Sequence, residues 1–184
     1  KAKVPAALGL KSRYYQFRYY GYRFIALDGN DVSLHAYPAS DPRHKAAEAA
    51  HKKLPSGTPT WNGAVGQAQL DWLKKALGEA KRAGERVVLF CHFPVYPDNV
   101  HNLWNAAEVV ALVRESETVV AYMNGHNHAG NYGRLAKRHF VTFSGMVDTE
   151  ETAYAIVNVH ADRLEIKGFG RQKNLTLPLA GNGD

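Results

Sequence analysis

The sequence predicts an α/β fold of the α+β kind, with parallel and antiparallel strands, in one domain over residues 1–184. Three observations carry this expectation. Two apolar runs of strand length, "RVVLF" from Arg86 and "TVVAYM" from Thr118, suggest strands buried on both faces beneath helices. A helical segment lies between them, and the order strand, helix, strand argues for a right-handed crossover between parallel neighbours. From His139 the runs "HFVTFSG", "TAYAIVNVHA" and "RLEIKGFG" are short and β-rich, which predicts an antiparallel meander with "HADR" as a tight connection.

Taken in order, "KSRYYQFRYYGYRF" alternates aromatics about Gly21 and reads as a β-hairpin burying one face. Its interleaved Arg and Tyr could also stack bases and neutralise phosphates. β-Propensity explains the pattern better, so nucleic acid is disfavoured as a partner. "AYPASDPRHKAAEAAHKKLPSGTPT" reads as a long loop carrying a short helix from Pro42 to Lys53. Loops of this length often act as lids or specificity segments. "GQAQLDWLKKALGEAKRAG" places Leu70, Leu73, Leu77 and Ala80 on one helical stripe, with Gly84 as a stop. "NLWNAAEVVALVRES" predicts a second helix whose core stripe is Leu103, Ala107, Val110 and Val113. The tail "LAGNGD" is expected to fray.

Composition narrows the function classes. With 45% hydrophobic residues and three Trp, 184 residues can build a core, which argues against disorder. The lone Cys91 excludes a disulfide framework within the chain and favours the cytoplasm. No apolar run approaches the roughly 18 residues of a membrane span, and "KAKVPAALGLK" is too short and interrupted for a signal peptide. A net charge of +6 suits a phosphate-bearing partner without selecting one.

The chemistry concentrates in three histidines. "VVLFCHFPVYP" ends its strand at a loop carrying His92, and "TVVAYMNGHNH" ends at His126 and His128. Ligands of α/β sheets collect beyond the carboxyl ends of strands, where these loops lie. In an extended backbone the imidazoles of "GHNH" can aim at neighbouring points, and Gly125 permits close approach. Alone, either signal also describes a hydrogen-bonded structural histidine; together they favour a metal site. His35, His44, His51, His101, His139 and His160 lack this setting and read as surface or core residues. Three neutral imidazoles can hold one ion with an open position for water. Two ions bring a charge of about +4 that demands carboxylate or hydroxide bridges. Asp28, Asp31, Asp98 and Asp148 stand near plausible strand ends, but none sits in a tight cluster with histidine. Either the site is mononuclear or the chain is incomplete. Tyr96, Trp104 and Asn105 follow the first loop and could bind a nucleobase or sugar, although Trp104 equally suits a helix anchor.

At "GHNH", preceded by "VVLFCH", the sequence resembles the carboxyl-terminal half of a calcineurin-like metallophosphoesterase. Within that superfamily it is most similar to the manganese-dependent ADP-ribose/CDP-alcohol diphosphatases, through "YRFIALDGNDVS", "NGAVGQAQLDWL", "HFPVYPD", "LWN", "GHNHAGNYG" and "LEIKGFGR" in the same order. The resemblance implies a β-sandwich flanked by helices and hydrolysis of a small phosphorylated substrate at two divalent ions. Manganese is the first expectation, with iron or zinc as alternatives. His92 and His126 would bind the second metal and His128 the first. The family's Asp-x-His, Gly-Asp-x-x-Asp and Gly-Asn-His segments, which carry the remaining ligands and the general acid, are not in this sequence, and "DGND" at Asp28 is only an echo of them. No catalytic acid is therefore assigned here. The domain is expected to be incomplete on its amino-terminal side, as one piece of a nicked enzyme, a swapped protomer or a chain paired with a complementary polypeptide. A self-sufficient mononuclear hydrolase and a basic RNA-binding module are the competing readings.

Overall fold

A computed structural model of the chain describes residues 4–179. In chain order the elements are α1 (Val4–Ala7), β1 (Tyr15–Tyr19), β2 (Tyr22–Ala26), α2 (Pro42–His51), α3 (Gln67–Arg82), β3 (Arg86–Phe90), α4 (Ala106–Glu115), β4 (Val119–Asn124), β5 (Asn131–Leu135), β6 (Arg138–Thr142), β7 (Ala153–Val159), β8 (Arg163–Gly170) and β9 (Leu175–Pro178). They form a six-stranded sheet of order β1-β2-β3-β4-β6-β5 and a three-stranded sheet of order β7-β8-β9. The centre of the larger sheet is parallel from β2 through β3 and β4 to β6, and antiparallel hairpins form both edges.

Three layers result. On one face of the larger sheet, Leu70, Leu73, Leu77 and Ala80 of α3 bury the expected stripe against Ile25, Val87, Leu89 and Tyr122. On the other, Val88, Ala121, Met123 and Val141 meet Leu164, Ile166 and Leu177 of the smaller sheet. The crossover expectation holds, because β3 and β4 pair in parallel with α4 between them in the chain. Their carboxyl ends consequently share one edge of the sheet.

Four expectations need correction. The α4 stripe is rotated: Val109 and Val113 are buried, whereas Ala107 is exposed and Val110 half-buried. Leu103 packs from the turn preceding the helix, so extending its phase into the helix misplaces the stripe. The run "HFVTFSG" belongs to the larger sheet, where β6 lies parallel to β4; the meander begins only at β7. β5, "NYGRL", has only Tyr132 and Leu135 as hydrophobic residues, without strand alternation, and carries no strand signal because it is an edge strand held by its neighbour. The β1–β2 hairpin forms at Gly21, yet Tyr15, Phe17 and Tyr19 of β1 are exposed, so its aromatic face is not buried as expected. The expected fraying of the tail falls on residues 180–184, outside the described residues.

Candidate metal centre

The parallel pairing of β3 and β4 brings the two histidine loops together. Cys91 donates its backbone N–H to Met123 O at 3.2 Å, and Gly125 donates to His92 O at 3.1 Å. Above this seam, His92 Nε2 lies 3.1 Å from His126 Nδ1. Phe93, buried, supports both rings, with centroids at 4.9 Å from His92 and 4.4 Å from His126. The "GHNH" backbone is not extended as expected. His126 has a φ of 66°, and Asn127 N–H closes a tight turn onto Gly125 O at 2.8 Å. The left-handed residue is thus the histidine, a type that tolerates this region better than most non-glycine residues.

The second nitrogen of His126 is also held, with Nε2 at 3.1 Å from Asn62 Oδ1. Burial, reinforced by the imidazoles of His92, His101 and His128, pushes His126 down to about 4, which keeps it neutral at physiological pH. His128 is tied through Nδ1 to Asp148 Oδ2 at 2.7 Å. Gly145 makes room for that ring: a Cβ there would lie 2.6 Å from His128 Cγ. An open cleft of about 410 Å³ is lined by Trp61, His101, His126, His128 and Asp148, among others. Trp61 stands 5.1 Å from both the His101 and the His126 ring. On the other side of His92 a second open cleft of about 430 Å³ is mostly apolar and includes Leu27, Phe90, Met123 and Phe143.

Three of these residues escaped sequence reasoning. Asn62 and Trp61 come from a turn whose position beside the strand ends depends on the isolated bridge Val32↔Ala64. His101, read from sequence as a surface or core residue, instead joins the histidine cluster, 5.6 Å from the His126 ring. Of the four carboxylates at strand ends, only Asp148 bonds to a site histidine. Asp31 accepts from Gly66 N–H and Gln69 Nε2 at the start of α3, and Asp28 pairs with Arg13 at 2.6 Å. Both are taken up in joining the loop after β2 to its surroundings.

The three residues singled out for substrate lie elsewhere. Tyr96 packs on Phe140 at 5.1 Å within the helix-side core. Trp104 donates its indole N–H to Pro59 O at 2.9 Å and rests on His51. Asn105 spends both ends of its carboxamide on the backbone of Val65, at 3.1 and 2.8 Å. None of the three lines the cleft beside His126 and His128.

The facing nitrogens suit a metal ion. With metal–nitrogen bonds of about 2.1 Å, nitrogens 3.1 Å apart subtend an angle of about 95° at the ion, that of neighbouring octahedral ligands. Among the described residues no three His, Cys, Asp or Glu side chains converge closely enough to hold one ion between them.

This architecture is that of the dimetal phosphatases. A dimetal phosphatase from Danio rerio matches with a TM-score of 0.84 over 91% of this chain and 60% of its own, at 25% identity. The GAP50 anchor of the Plasmodium inner membrane complex, 14% identical, shares the fold alone, with a TM-score of 0.59 over 95% of this chain and 57% of its own. In sequence the chain resembles manganese-dependent ADP-ribose/CDP-alcohol diphosphatases. That of Xenopus tropicalis is 31% identical over 175 residues, 85% of this chain and 51% of the relative. The Homo sapiens protein is 31% identical over 173 residues, 82% of this chain and 49% of the relative. The chain therefore spans about half the length of these relatives. No family model matches it. The resemblance drawn from "GHNH" and its companion motifs holds in both sequence and fold.

Proposed function

We propose that this chain is the histidine-bearing half of a binuclear metal phosphohydrolase acting on ADP-ribose or CDP-alcohol compounds with manganese. The observation that carries the proposal is the pair His92 Nε2 and His126 Nδ1, 3.1 Å apart at the ends of adjacent parallel strands in a dimetal-phosphatase fold. His92 and His126 hold one ion, and His128, oriented by Asp148, holds the other. When bound, the pair supplies a hydroxide nucleophile and neutralises charge on phosphorus. The substrate's base or sugar meets Trp61 and His101 in the open cleft beside His126. The remaining carboxylates and the acid for the leaving group come from a complementary amino-terminal half, corresponding to the part of the relatives' length that this chain does not span. Supporting this, Phe17 of β1 and Phe90 of β3 stand exposed in one aromatic row, and Phe90 lines the apolar cleft beside His92, a face a complementary sheet would cover.

The reading places the protein in the cytoplasm, in keeping with buried Cys91 as its single cysteine. No helix among the described residues is long and apolar enough to cross a membrane. The RNA-binding alternative is weakened because the arginines of this stretch are engaged: Arg18 and Arg23 with Glu85, and Arg13 with Asp28.

Hydrolysis assays with Mn²⁺ test the proposal. The chain alone is expected to turn over ADP-ribose and CDP-alcohols poorly. Fused behind the amino-terminal half of a curated relative, it should gain turnover that His126→Ala abolishes. Robust turnover by the chain alone would refute the half-site, and one tightly held ion in that chain would favour the mononuclear alternative. A fusion that folds, binds manganese and hydrolyses neither substrate would refute the phosphohydrolase reading.

A further inference from the structure

The hydrogen bonds around Asn62 decide which nitrogen of His126 can meet a metal. Asn62 is 1% exposed, and its Nδ2 donates to Val100 O at 2.8 Å. A carbonyl only accepts, so the carboxamide atom facing Val100 must be the NH₂ group and the other must be Oδ1. Oδ1 in turn only accepts. His126 Nε2, 3.1 Å away, must therefore carry the proton. A neutral imidazole has a single N–H, so Nδ1 is left with its lone pair, directed at His92 Nε2.

The loop bearing Asn62 has little freedom to choose otherwise. Trp104 N–H donates to Gly63 O at 2.8 Å, Ala64 and Val32 exchange hydrogen bonds at 2.8 and 3.0 Å, and Asn105 grips Val65. Gly63 is also closely packed, since a Cβ there would lie 2.2 Å from Gly29 O. These contacts hold Asn62 in place independently of His126.

We infer that Asn62 is a positioning residue that fixes the tautomer of His126, so that Nδ1 is the nitrogen offered to a metal ion and Nε2 is permanently engaged. In the metal-free protein, His92 Nε2–H donates to His126 Nδ1; to offer a lone pair in its turn, His92 would move that proton to its own Nδ1, leaving its Nε2 and His126 Nδ1 as the two neighbouring nitrogens that could hold an ion. The inference rests on the metal-site reading of these histidines, but not on the identity of the substrate. Partners of this kind orient a ligating imidazole and raise its basicity, and their loss typically weakens metal affinity about 10- to 100-fold.

The test is long-range proton–nitrogen NMR of histidine-labelled protein, first metal-free and then with cadmium as a diamagnetic probe. The metal-free spectrum should show His126 protonated on Nε2, and cadmium should couple to Nδ1 of His126. Asn62→Leu removes the acceptor while nearly keeping the volume; it should erase the tautomer preference and weaken cadmium and manganese binding about 10- to 100-fold. Asn62→Asp retains an acceptor for Nε2–H and should preserve the tautomer. A proton on Nδ1 of His126 in the metal-free protein, or cadmium on Nε2, overturns the inference without any variant having to fold. Intact tautomer and cadmium coupling in a protein that hydrolyses no phosphate compound would instead leave the inference standing and count against the proposed function.

Discussion

The two ends of the six-stranded sheet carry similar residues on the same face and cover them differently. Toward β4 and β6, Ala121, Met123 and Val141 are at most 3% exposed, lying under Leu164, Ile166 and Leu177 of the smaller sheet. Toward β1, Phe17, Phe24 and Phe90 form a row across three strands, with ring centroids 5.0 and 6.4 Å apart, yet Phe17 is 52% and Phe90 38% exposed. Register places Phe17 opposite Phe24, so the row is a designed-in feature of strand pairing rather than a scatter of surface aromatics. Apolar alternation thus specifies which face of a strand is suited to burial. It does not specify which segment buries it.

What holds the uncovered corner is its opposite face. There Arg23, 5% exposed, meets Glu85 at 2.8 Å, Glu79 at 3.0 Å and Gln16 at 3.0 Å, and Arg18 adds a second contact to Glu85. The largest effect should therefore come from Glu85→Gln, which removes the buried counter-charge of Arg23 and leaves it only the part-exposed carboxylate of Glu79. The expected loss is about 3–5 kcal/mol in urea unfolding at neutral pH. Burial opposes ionisation of Glu85, but the hydrogen bonds from Arg23 and Arg18 outweigh it and hold the carboxyl below its ordinary value of 4.5. A depressed folded-state value means the stabilisation is complete above about 4.5 and is lost as pH falls through the folded value. The gap between native protein and Glu85→Gln should accordingly close in acid. A gap that is constant down to the acid transition would remove this network as the anchor of the corner.

Ile166→Ala probes the covered end. Ile166 is fully buried between the sheets. Truncating such a side chain costs about 2–5 kcal/mol, through lost transfer energy and the cavity left behind. An effect under about 1 kcal/mol would mean that the smaller sheet is loosely docked and that both ends of the larger sheet are poorly covered.

The sequence made the parallel centre and the histidine loops legible because each rests on a local signal: a continuous apolar run, a helix stripe, a strand-end His. The α3 stripe illustrates this, with all four expected residues buried. What stayed hidden depends on contacts distant in the chain. Asn62 reaches His126 across 64 residues, and nothing in "TWNGAVG" alone announces that reach. Asn105 looks like a polar group awaiting substrate until its bonds to Val65, 40 residues away, are seen. His101 offers no strand-end setting, because its turn is delivered to the site by the fold around it. β5 was missed for a different reason, since an edge strand needs no apolar face to be held by its neighbour.

The smallest effect is the most informative about the uncovered corner. Phe17→Ser removes an aromatic ring that is about half exposed, at 52%, and packs mainly on Phe24. In a chain whose corner is bare in solution, such a surface substitution should change the unfolding free energy by no more than about 0.5 kcal/mol. It should also lower the binding of a hydrophobic dye, because the ring contributes to an exposed apolar patch. In a complex where a complementary polypeptide or a second copy covers the row, the same substitution removes about 1.5–3 kcal/mol of burial. Association should then weaken by about ten- to a hundredfold. Unfolding measured at low and high protein concentration separates the cases. A loss that grows with concentration identifies a second copy as the cover, and a loss that appears only with an added amino-terminal polypeptide identifies that polypeptide. A concentration-independent loss of 2 kcal/mol or more in the monomer would break the comparison, since Phe17 would then already be buried by its own chain.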